Sequence, residues 1–353
     1  MALIAPVWLP VPPPGYGGTE RVVSVLAEEL TARGHQVTLF AVGGSRTSAA
    51  LVTTIEQAPP LGEVAGLAED LFHTVSAYRH AAEFDVIHDH SGLGPALGAM
   101  LDRAPPVVHT LHGQWTAPAR RFYGLVHDRI DLVAISRAQA AANPLVRYAG
   151  IVYNGIDLAA HPFSTDKRDY LAYVGRVSPE KGTATAVEVA RGAGIPLKMV
   201  VKRREQVEWD YWNEVVAPLL TDDVEVLEES PHEVKCEVLA HARATLFLIE
   251  WPEPFGLVMV ESLACGTPVI ARPLGAAPEV IEDGVNGLFC HTLEEMIAAV
   301  GRVGDLDPAA CRARVVERFS AQAMTDGYEQ VYSAARHRAA SLCRAGAPRS
   351  LKV

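Results

Sequence analysis

Blocks of apolar residues alternate along the chain with polar and mixed segments, and this pattern predicts strands and helices in turn. Short apolar runs predict strands at residues 2–8, 37–42, 85–90, 105–110, 132–135, 151–153, 170–174, 197–201, 224–227, 244–249, 269–271 and 288–290. Between them, apolar residues three and four apart predict amphipathic helices, for example from about Thr19 to Arg33. Strands that alternate with helices in both halves predict two doubly wound, Rossmann-like α/β domains.

Other segments give weaker signals. Residues 45–61 show neither period and are predicted to be loop. Residues 65–84 are predicted to be helical, with an apolar face formed by Leu67, Leu71, Val75 and Tyr78. The run Ser230-Pro231-His232-Glu233 predicts a helix that begins with a capping box. A chain of 353 residues is long for one core, and we expect domains at residues 1–160 and 168–320, joined by the polar segment 161–167.

One strand-loop-helix segment carries the strongest chemical signal. The predicted strand at residues 244–249 is followed by a loop at residues 251–256, in which Pro252, Pro254 and Gly256 break regular structure. A helix is predicted from residue 257 to residue 265. Its N-terminus offers free backbone N–H groups and a positive dipole end to an anion such as phosphate. Glu253 in the loop and Glu261 in the helix flank this position.

Two solvated glutamates on an ordinary βα unit would give the same spacing. The wider context is more specific: Glu-Pro-Phe-Gly-Leu at residues 253–257, Glu261, and Ala-Cys-Gly-Thr-Pro-Val-Ile-Ala at residues 264–271. This string resembles the signature of retaining family 4 glycosyltransferases with the GT-B fold, in which two such domains face a central cleft. The resemblance implies that Glu253 contacts the donor sugar and that Glu261 binds the ribose hydroxyls. It also implies that the amides of Phe255, Gly256 and Leu257 take the diphosphate.

A second segment fits the same family. Gly175-Arg176 is followed by Lys181-Gly182, with Lys181 at the fifth place beyond Arg176. Taken alone, this is a charged loop before a helix. The resemblance implies that both cations neutralise the diphosphate, where charge-assisted hydrogen bonds contribute roughly 1.5–3 kcal/mol each. We therefore expect Arg176 and Lys181 to dominate diphosphate affinity.

Glycines and histidines of the first half supply further candidates. The loop with Gly17 and Gly18 is not a dinucleotide fingerprint, because Arg21 and Val22 stand where the third glycine should be. A flexible loop is one interpretation, and the family resemblance, a Gly-Gly-x-Glu loop that faces the diphosphate, is the other. Thr-Leu-His-Gly resembles the family segment whose histidine faces the donor sugar, which implies that role for His112.

Three more histidines lie at predicted strand ends: His88, His90 and His109. With His112 they invite a zinc interpretation, but neither a helical His-x3-His pair nor a neighbouring thiolate pair accompanies them. We expect hydrogen-bonded core or loop residues and no metal site. Asp305-Leu306-Asp307 has the form of a metal-binding Asp-x-Asp, but Pro308 follows it, so helix capping explains it better.

The sequence departs from the family after the strand at residues 197–201. A glycine-rich strand end is usual there, and this chain has Lys202-Arg203-Arg204. The basic run is either a solvated patch or an additional contact to nucleotide or acceptor. Trp209, Tyr211 and Trp212 follow, as part of a core helix or as a platform for the acceptor.

Composition removes several classes of function. A net charge of −11 argues against binding to nucleic acid. The five cysteines are scattered and form no Cys-x-x-Cys pair, which favours reduced thiols. Neither a run long enough to span a membrane nor a basic leader is visible, so a cytoplasmic location is expected.

The resemblance implies an enzyme that moves a sugar from a nucleoside diphosphate sugar, UDP- or GDP-linked, to a small-molecule or oligosaccharide acceptor. Retention and metal independence are implied, with UDP as a product and no further cofactor. The family's last helix, here residues 321–340, would cross back to the first domain. Overall resemblance to actinobacterial natural-product enzymes suggests antibiotic biosynthesis. A GT-B epimerase or phosphorylase, and a non-catalytic sugar-nucleotide binding protein, are the alternatives, and product analysis with and without acceptors separates them.

Overall fold

The computed structural model describes residues 1–59, 64–101 and 105–344. Within this part of the chain two compact units are found. Unit 1 contains Met1–Pro13, Gly17–Gly155 and the chain from Ala321 onward. Unit 2 contains Pro14–Tyr16 and Ile156–Ser320.

Unit 1 is built on a parallel sheet of seven strands in the order β3-β2-β1-β4-β5-β6-β7. The strands are β1 (Ala2–Ile4), β2 (Thr38–Val42), β3 (Ala50–Ile55), β4 (Ile87–Asp89), β5 (Val107–Leu111), β6 (Asp131–Ala134) and β7 (Tyr148–Ile151). The helices are α1 (Gly18–Ala32), α2 (Val64–Tyr78), α3 (Gly94–Met100), α4 (Ala117–Val126), α5 (Arg137–Ala142) and, from the end of the chain, α13 (Ala321–Arg344). The strand order reverses at β1 and β4, as in a doubly wound fold.

Two features of unit 1 differ from the sequence prediction. Residues 50–55 form the edge strand β3 rather than loop, and most of their side chains are exposed, so no buried apolar run marks them. The predicted loop also extends to residues 60–61, which lie outside the described residues. The predicted apolar face of α2 is wrong as well. Leu67, Leu71 and Val75 are exposed, and only Tyr78 is buried.

The buried face of α2 is largely polar, which explains the error. Asp70, His73 and Thr74 are all almost fully buried. His73 accepts the Thr54 hydroxyl at Nδ1 (2.5 Å) and its Nε2 donates to the Ala5 carbonyl (2.9 Å). The Thr74 hydroxyl donates to the Asp70 carbonyl at 2.6 Å. Because His73 and Thr74 have hydrogen-bond partners inside unit 1, this face of the helix is buried although hydropathy predicts that it faces solvent.

Unit 2 has a parallel sheet of six strands in the order β10-β9-β8-β11-β12-β13. The strands are β8 (Leu171–Arg176), β9 (Leu197–Lys202), β10 (Val224–Glu228), β11 (Ala244–Phe247), β12 (Val269–Ala271) and β13 (Gly287–Phe289). The helices are α6 (Thr183–Ala193), α7 (Gln206–Tyr211), α8 (His232–His241), α9 (Leu257–Ala264), α10 (Ala277–Val280), α11 (Leu293–Arg302) and α12 (Pro308–Arg318). The two sheets confirm the prediction of two doubly wound α/β domains.

The helix starts in unit 2 test two predictions. Asp307 caps α12, since its Oδ1 accepts the N–H of Ala309 at 2.8 Å, so capping explains the Asp-Leu-Asp run. The predicted capping box at Ser230 is wrong: α8 begins after Pro231, and no side chain in the described part of the chain caps it. The extended backbone of Pro231 delays the helix by one residue, which moves Glu233 out of the position that the box requires.

Candidate functional site

The predicted strand-loop-helix segment is present in unit 2. β11 ends at Phe247, and α9 begins at Leu257 directly after Gly256. Gly256 has φ +85°, and a Cβ there would lie 2.7 Å from both Met259 Cε and Phe247 Cζ. Only glycine fits this tight entry to the helix. The loop is also held from its far side, because the N–H of Ala276 donates to the Glu253 carbonyl at 3.0 Å.

The N-terminus of α9 has the form of an anion site. The N–H of Met259 donates to the Gly256 carbonyl at 3.0 Å, while the N–H groups at the very start of a helix have no intrahelical partner. Phe255 is 2% exposed and packs edge-on against Phe319, with ring centroids 5.9 Å apart. This packing fixes the start of the helix, where the dipole favours negative charge.

Lys181 and Glu253, both predicted site residues, form an ion pair. The Lys181 ammonium also lies 5.2 Å from the ring centroid of Trp251. Backbone contacts hold the two loops together, since the N–H of Glu250 donates to the Glu180 carbonyl at 2.9 Å. A Cβ on Gly182, at φ +67°, would lie 2.1 Å from the Leu248 carbonyl oxygen, so the approach requires glycine. The structure therefore brings the Arg176–Gly182 loop to the head of α9.

Arg176 lies at the end of β8 and has two carboxylate partners that sequence reasoning missed. Its Nη2 lies 2.7 Å from Glu180 Oε1, and its Nε lies 3.7 Å from Glu208 Oε1. Glu208 is 2% exposed. The i,i+4 spacing of Arg176 and Glu180 is a signal that could have identified the first partner, but nothing in the sequence marks Glu208. Both predicted cations are thus held by carboxylates, and an entering anion would exchange with these.

The Lys202-Arg203-Arg204 run divides into two parts. Lys202 ends β9 beside Arg176, its register partner on β8. The Lys202 ammonium lies 5.2 Å from the ring centroid of Tyr16, and its side chain is buried. Burial lowers the Lys202 pKa, with Glu208 acting in the opposite direction. Lys202 therefore adds a third cationic side chain near the carboxyl ends of the neighbouring strands β8 and β9.

The two arginines have structural partners. Arg203 pairs with Glu228 at 2.5 Å, and its guanidinium lies 4.3 Å from the Trp209 ring and 4.2 Å from the Trp212 ring. Arg204 pairs with Glu229 at 2.7 Å. Trp212 is buried in the core of unit 2. Trp209 and Trp212 thus pack against Arg203.

Glu261 is 3% exposed on α9, and its Oε1 accepts a 2.5 Å hydrogen bond from Lys235. His161 Nε2 lies 4.0 Å from the same oxygen. Burial acts to raise the pKa of Glu261, but the Lys235 ammonium and His161 outweigh it and hold that pKa well below its usual range. The carboxylate is therefore charged at neutral pH. Sequence reasoning missed Lys235 and His161, along with the neighbouring His232 and Cys236.

The remaining candidates lie in unit 1. Gly18 begins α1, and a Cβ on Gly17 would lie 2.8 Å from Leu9 and Pro13 side-chain atoms, so the loop requires a small residue there. His112 Nε2 lies 2.8 Å from His90 Nδ1. Burial lowers the pKa of His112 to about 4, so the ring is neutral at pH 7.

His88 and His109 are hydrogen-bonded core residues, as expected. His88 contacts the hydroxyls of Tyr332 (2.7 Å) and Thr110 (2.8 Å). His109 Nε2 contacts the Tyr123 hydroxyl at 2.9 Å. The structure assigns these two rings to packing.

Two family models match consecutive parts of the chain. "Glycosyltransferase Family 4" matches residues 16–160, and "Glycosyl transferases group 1" matches residues 158–305. The chain belongs to the GT-B glycosyltransferases.

Curated relatives and solved structures agree with this assignment. The D-inositol 3-phosphate glycosyltransferase of Pseudarthrobacter chlorophenolicus is 27% identical, over 82% of this chain and 84% of its own. Glycogen synthase of Mycobacterium tuberculosis is also 27% identical, over 71% of this chain and 69% of its own. AviGT4, a glycosyltransferase involved in avilamycin A biosynthesis, superimposes with a TM-score of 0.71 and 23% identity, covering 95% of this chain and 97% of its own. HepE from Anabaena, in complex with UDP and glucose, superimposes with a TM-score of 0.75 and 22% identity. The match covers 95% of this chain and 100% of the HepE chain.

Within the described residues, all helices fall short of the length and apolar character that a membrane crossing needs.

Proposed function

We propose that this glycosyltransferase transfers a sugar from a nucleoside diphosphate sugar to a small-molecule or oligosaccharide acceptor, with retention at the anomeric carbon and without a metal at the diphosphate. The observation that carries the proposal is the pairing of Lys181 with Glu253 at the head of α9. This pairing brings a cation, a carboxylate and the N-terminus of a helix together. The combination suits a sugar diphosphate better than it suits a sugar or a diphosphate alone.

Each part of the donor has a proposed partner. The diphosphate lies against the first-turn amides at Phe255, Gly256 and Leu257, with Arg176 and Lys181 as cations. Glu253 accepts hydrogen bonds from sugar hydroxyls once the diphosphate has taken Lys181. Glu261, buried and charged, suits the ribose hydroxyls. From unit 1 we propose Gly17 and Gly18 for the diphosphate and His112 for the sugar.

The proposed reaction stabilises charge on the leaving group. The bond from the anomeric carbon to the diphosphate oxygen breaks, and a bond to the acceptor oxygen forms on the same face. The acceptor proton passes to the departing diphosphate, so a nucleoside diphosphate leaves with that proton. Preorganised donors aimed at developing charge commonly contribute about 10²–10³-fold in rate each. Arg176, Lys181 and the helix amides supply them here.

The base and the acceptor are proposed more broadly. HepE, with UDP in its structure, supports UDP as the first nucleotide to test, and GDP is the second. The likeness to AviGT4 supports an acceptor from antibiotic biosynthesis. Transfer to such an acceptor would place this enzyme in a pathway like that of avilamycin. The inositol phosphate enzymes among the relatives add inositol 3-phosphate to the acceptor panel.

A donor and acceptor screen tests the proposal. Purified protein is incubated with UDP- and GDP-linked sugars, with and without each acceptor, in the presence of a chelator. The proposal predicts a glycosylated product whose anomeric configuration, read by nuclear magnetic resonance, equals that of the donor. An inverted product contradicts retention. A changed donor sugar in reactions without acceptor would assign the protein to the epimerases instead, and binding without any product would make it a binding protein.

A further inference from the structure

A buried cluster of metal-ligating side chains lies in unit 2. His161, His232 and Cys236 each offer one ligand atom, and these three atoms lie within 4.8 Å of one another. All three residues are buried, with exposures of 2%, 8% and 1%. Two imidazoles and a thiolate are the donors that zinc and its neighbours in the first transition series select.

The local fold explains why these side chains meet. His232 and Cys236 are four residues apart on α8, so both project from the same face of the helix. Cys236 Sγ lies 3.4 Å from His232 Nε2. His161 arrives from the other side, directly after the short 3₁₀ turn Leu158–Ala160. The sequence hides this cluster, because only the His-x3-Cys pair is local.

The orientation of His161 is the second observation that points to a ligand. Its Nδ1 lies 2.7 Å from the Asp157 carbonyl oxygen, which fixes the proton of a neutral ring on Nδ1. In the neutral ring, which is the form that a metal binds, Nε2 carries the lone pair. This nitrogen is buried without a hydrogen-bond partner among the residues that the structure describes. A backbone carbonyl that holds one ring nitrogen while the other faces inward is the usual arrangement of a metal-binding histidine.

We propose that His161, His232 and Cys236 bind a zinc-class divalent cation, with Glu261 as the fourth donor. Glu261 Oε1 lies 4.0 Å from His161 Nε2. Zinc bond lengths in a tetrahedral site place neighbouring donors about 3.3–3.6 Å apart. The His232–Cys236 separation of 3.4 Å already has this value. The other donors need shifts on the order of 1 Å, within reach of side-chain adjustment.

The charges of such a site balance. Cys236 releases its thiol proton to solvent when the sulfur binds the cation, so the ligands bring one thiolate and one carboxylate against a double positive charge. Lys235, which now donates to Glu261 at 2.5 Å, gives up part of this contact. The ion would hold Glu261 through one oxygen. Such a contact would change how Glu261 meets the ribose hydroxyls. This effect on ribose binding rests on the proposed function, whereas the metal site itself does not.

Metal binding is tested on the full chain after removal of any affinity tag and of metal with a chelator. The protein is titrated with Zn²⁺ and, separately, with Co²⁺. We expect one equivalent of zinc bound with a Kd below about 1 μM, in the range of specific metal sites. We also expect a thiolate-to-cobalt charge-transfer band in the near ultraviolet, which reports a cysteine ligand. Absence of bound zinc, or a cobalt complex without this band, overturns the proposal.

Variants assign the ligands. Cys236→Ala and His161→Gln are each expected to weaken zinc binding at least tenfold, and Cys236→Ala to abolish the cobalt band. Cys290→Ala is the matched control, because Cys290 is a buried, unpaired thiol of unit 2 outside the cluster, and we expect it to bind zinc as the wild type does. If Cys236→Ala does not fold, alkylation of the wild-type thiols decides: zinc should protect Cys236 and leave Cys290 unprotected, and equal protection contradicts the site.

Cys265 defines one rival explanation. Its thiol donates to the Cys236 carbonyl at 3.8 Å, so the two cysteines are neighbours. A disulfide between them would lower the intact mass by two hydrogens in protein purified without reductant. Finding that disulfide in place of bound metal would overturn the zinc assignment. UDP titration of zinc-loaded and metal-free protein tests the link to Glu261, for which we expect at least a threefold difference in Kd, and equal values contradict the link.

Discussion

Lys181 and Glu253 form an ion pair that joins the loop after β8 to the loop before α9. The two residues are 72 positions apart in the sequence, and both are largely buried. Each thereby holds the other in place before a donor arrives. A diphosphate that takes over Lys181 would release the carboxylate of Glu253 for the sugar, so the pair links recognition of the two halves of the donor.

Replacing Glu253 separates recognition of the sugar from recognition of the diphosphate. Glu253→Gln removes the negative partner of Lys181 and the proposed acceptor for sugar hydroxyls. We expect kcat to fall by about 10²-fold, while the affinity for UDP stays equal or rises because Lys181 is no longer neutralised. Steady-state kinetics with UDP titration measures both. Glu250→Gln is the control, since Glu250 is an exposed carboxylate 3.5 Å from Arg272. A parallel loss of UDP affinity in Glu253→Gln would contradict the assignment.

Gly256 allows a comparison of strain with steric conflict. Gly256→Ala places a Cβ at φ +85° and 2.7 Å from two side chains. In Gly284→Ala the φ is similar, +76°, but the added Cβ meets no atom of the described residues within 4 Å. Positive φ alone costs about 1–2 kcal/mol. We expect Gly284→Ala to lose about that much free energy of unfolding in urea denaturation. Gly256→Ala should lose more and should bind UDP at least tenfold more weakly. Equal behaviour of the two variants would show that the start of α9 does not form the anion site.

The basic run after β9 gives a matched pair of cations. Lys202 ends its strand beside Arg176, whereas Arg204 pairs with Glu229 on the surface. We expect Lys202→Ala to weaken UDP binding at least tenfold, as loss of one charge-assisted contact does. Arg204→Ala should change it by less than about twofold, since exposed pairs contribute little. Isothermal titration calorimetry measures both. A larger loss of UDP affinity in Arg204→Ala than in Lys202→Ala would place the nucleotide at Arg204 and contradict the assignment to Lys202.

Acid stability should depend on His73. Burial lowers the pKa of this ring to about 4, below the value of about 6.5 for an unfolded chain. The unfolded state therefore binds more protons between these values, and stability present above pH 6.5 is lost as the pH falls towards 4. The loss reaches roughly 1–2 kcal/mol at pH 5.

Urea denaturation of wild type and His73→Gln at pH 7 and pH 5 checks this. The variant is expected to be less stable at pH 7, because its hydrogen bonds are altered, and to lose less stability on acidification. His291→Gln, an exposed histidine of unit 2, is the control and should follow the wild type. An equal acid loss in His73→Gln would show that other groups set the dependence.

The sequence predicted much of the architecture because parallel strands that are buried on both faces are continuously apolar. It missed β3, whose exposed edge position leaves no such run, and it assigned the wrong face to α2, where Asp70, His73 and Thr74 are buried through hydrogen bonds. In both places a three-dimensional contact determines burial. Hydropathy along the chain does not register such contacts.

The candidate site shows the same limit. Motif spacing marked Lys181 and Glu253, but their pairing across the unit is visible only in the structure. Glu208 and Lys235, the partners of Arg176 and Glu261, lie at helix positions that no motif of the sequence marked. His161 joins His232 and Cys236 across about 70 residues of sequence, beyond any local pattern. Whether Gly17, Gly18 and His112 act on the donor stays a prediction.

The account depends on a diphosphate bound between Lys181 and the start of α9. Calorimetric titration of wild type and Lys181→Ala with UDP and with uridine tests this most directly, with Lys198→Ala, a surface pair with Glu225, as the control. We predict that the Lys181 variant binds UDP at least tenfold more weakly while its affinity for uridine is unchanged, as expected for loss of one charge-assisted contact. UDP affinity equal to that of the wild type in the Lys181 variant would contradict the account.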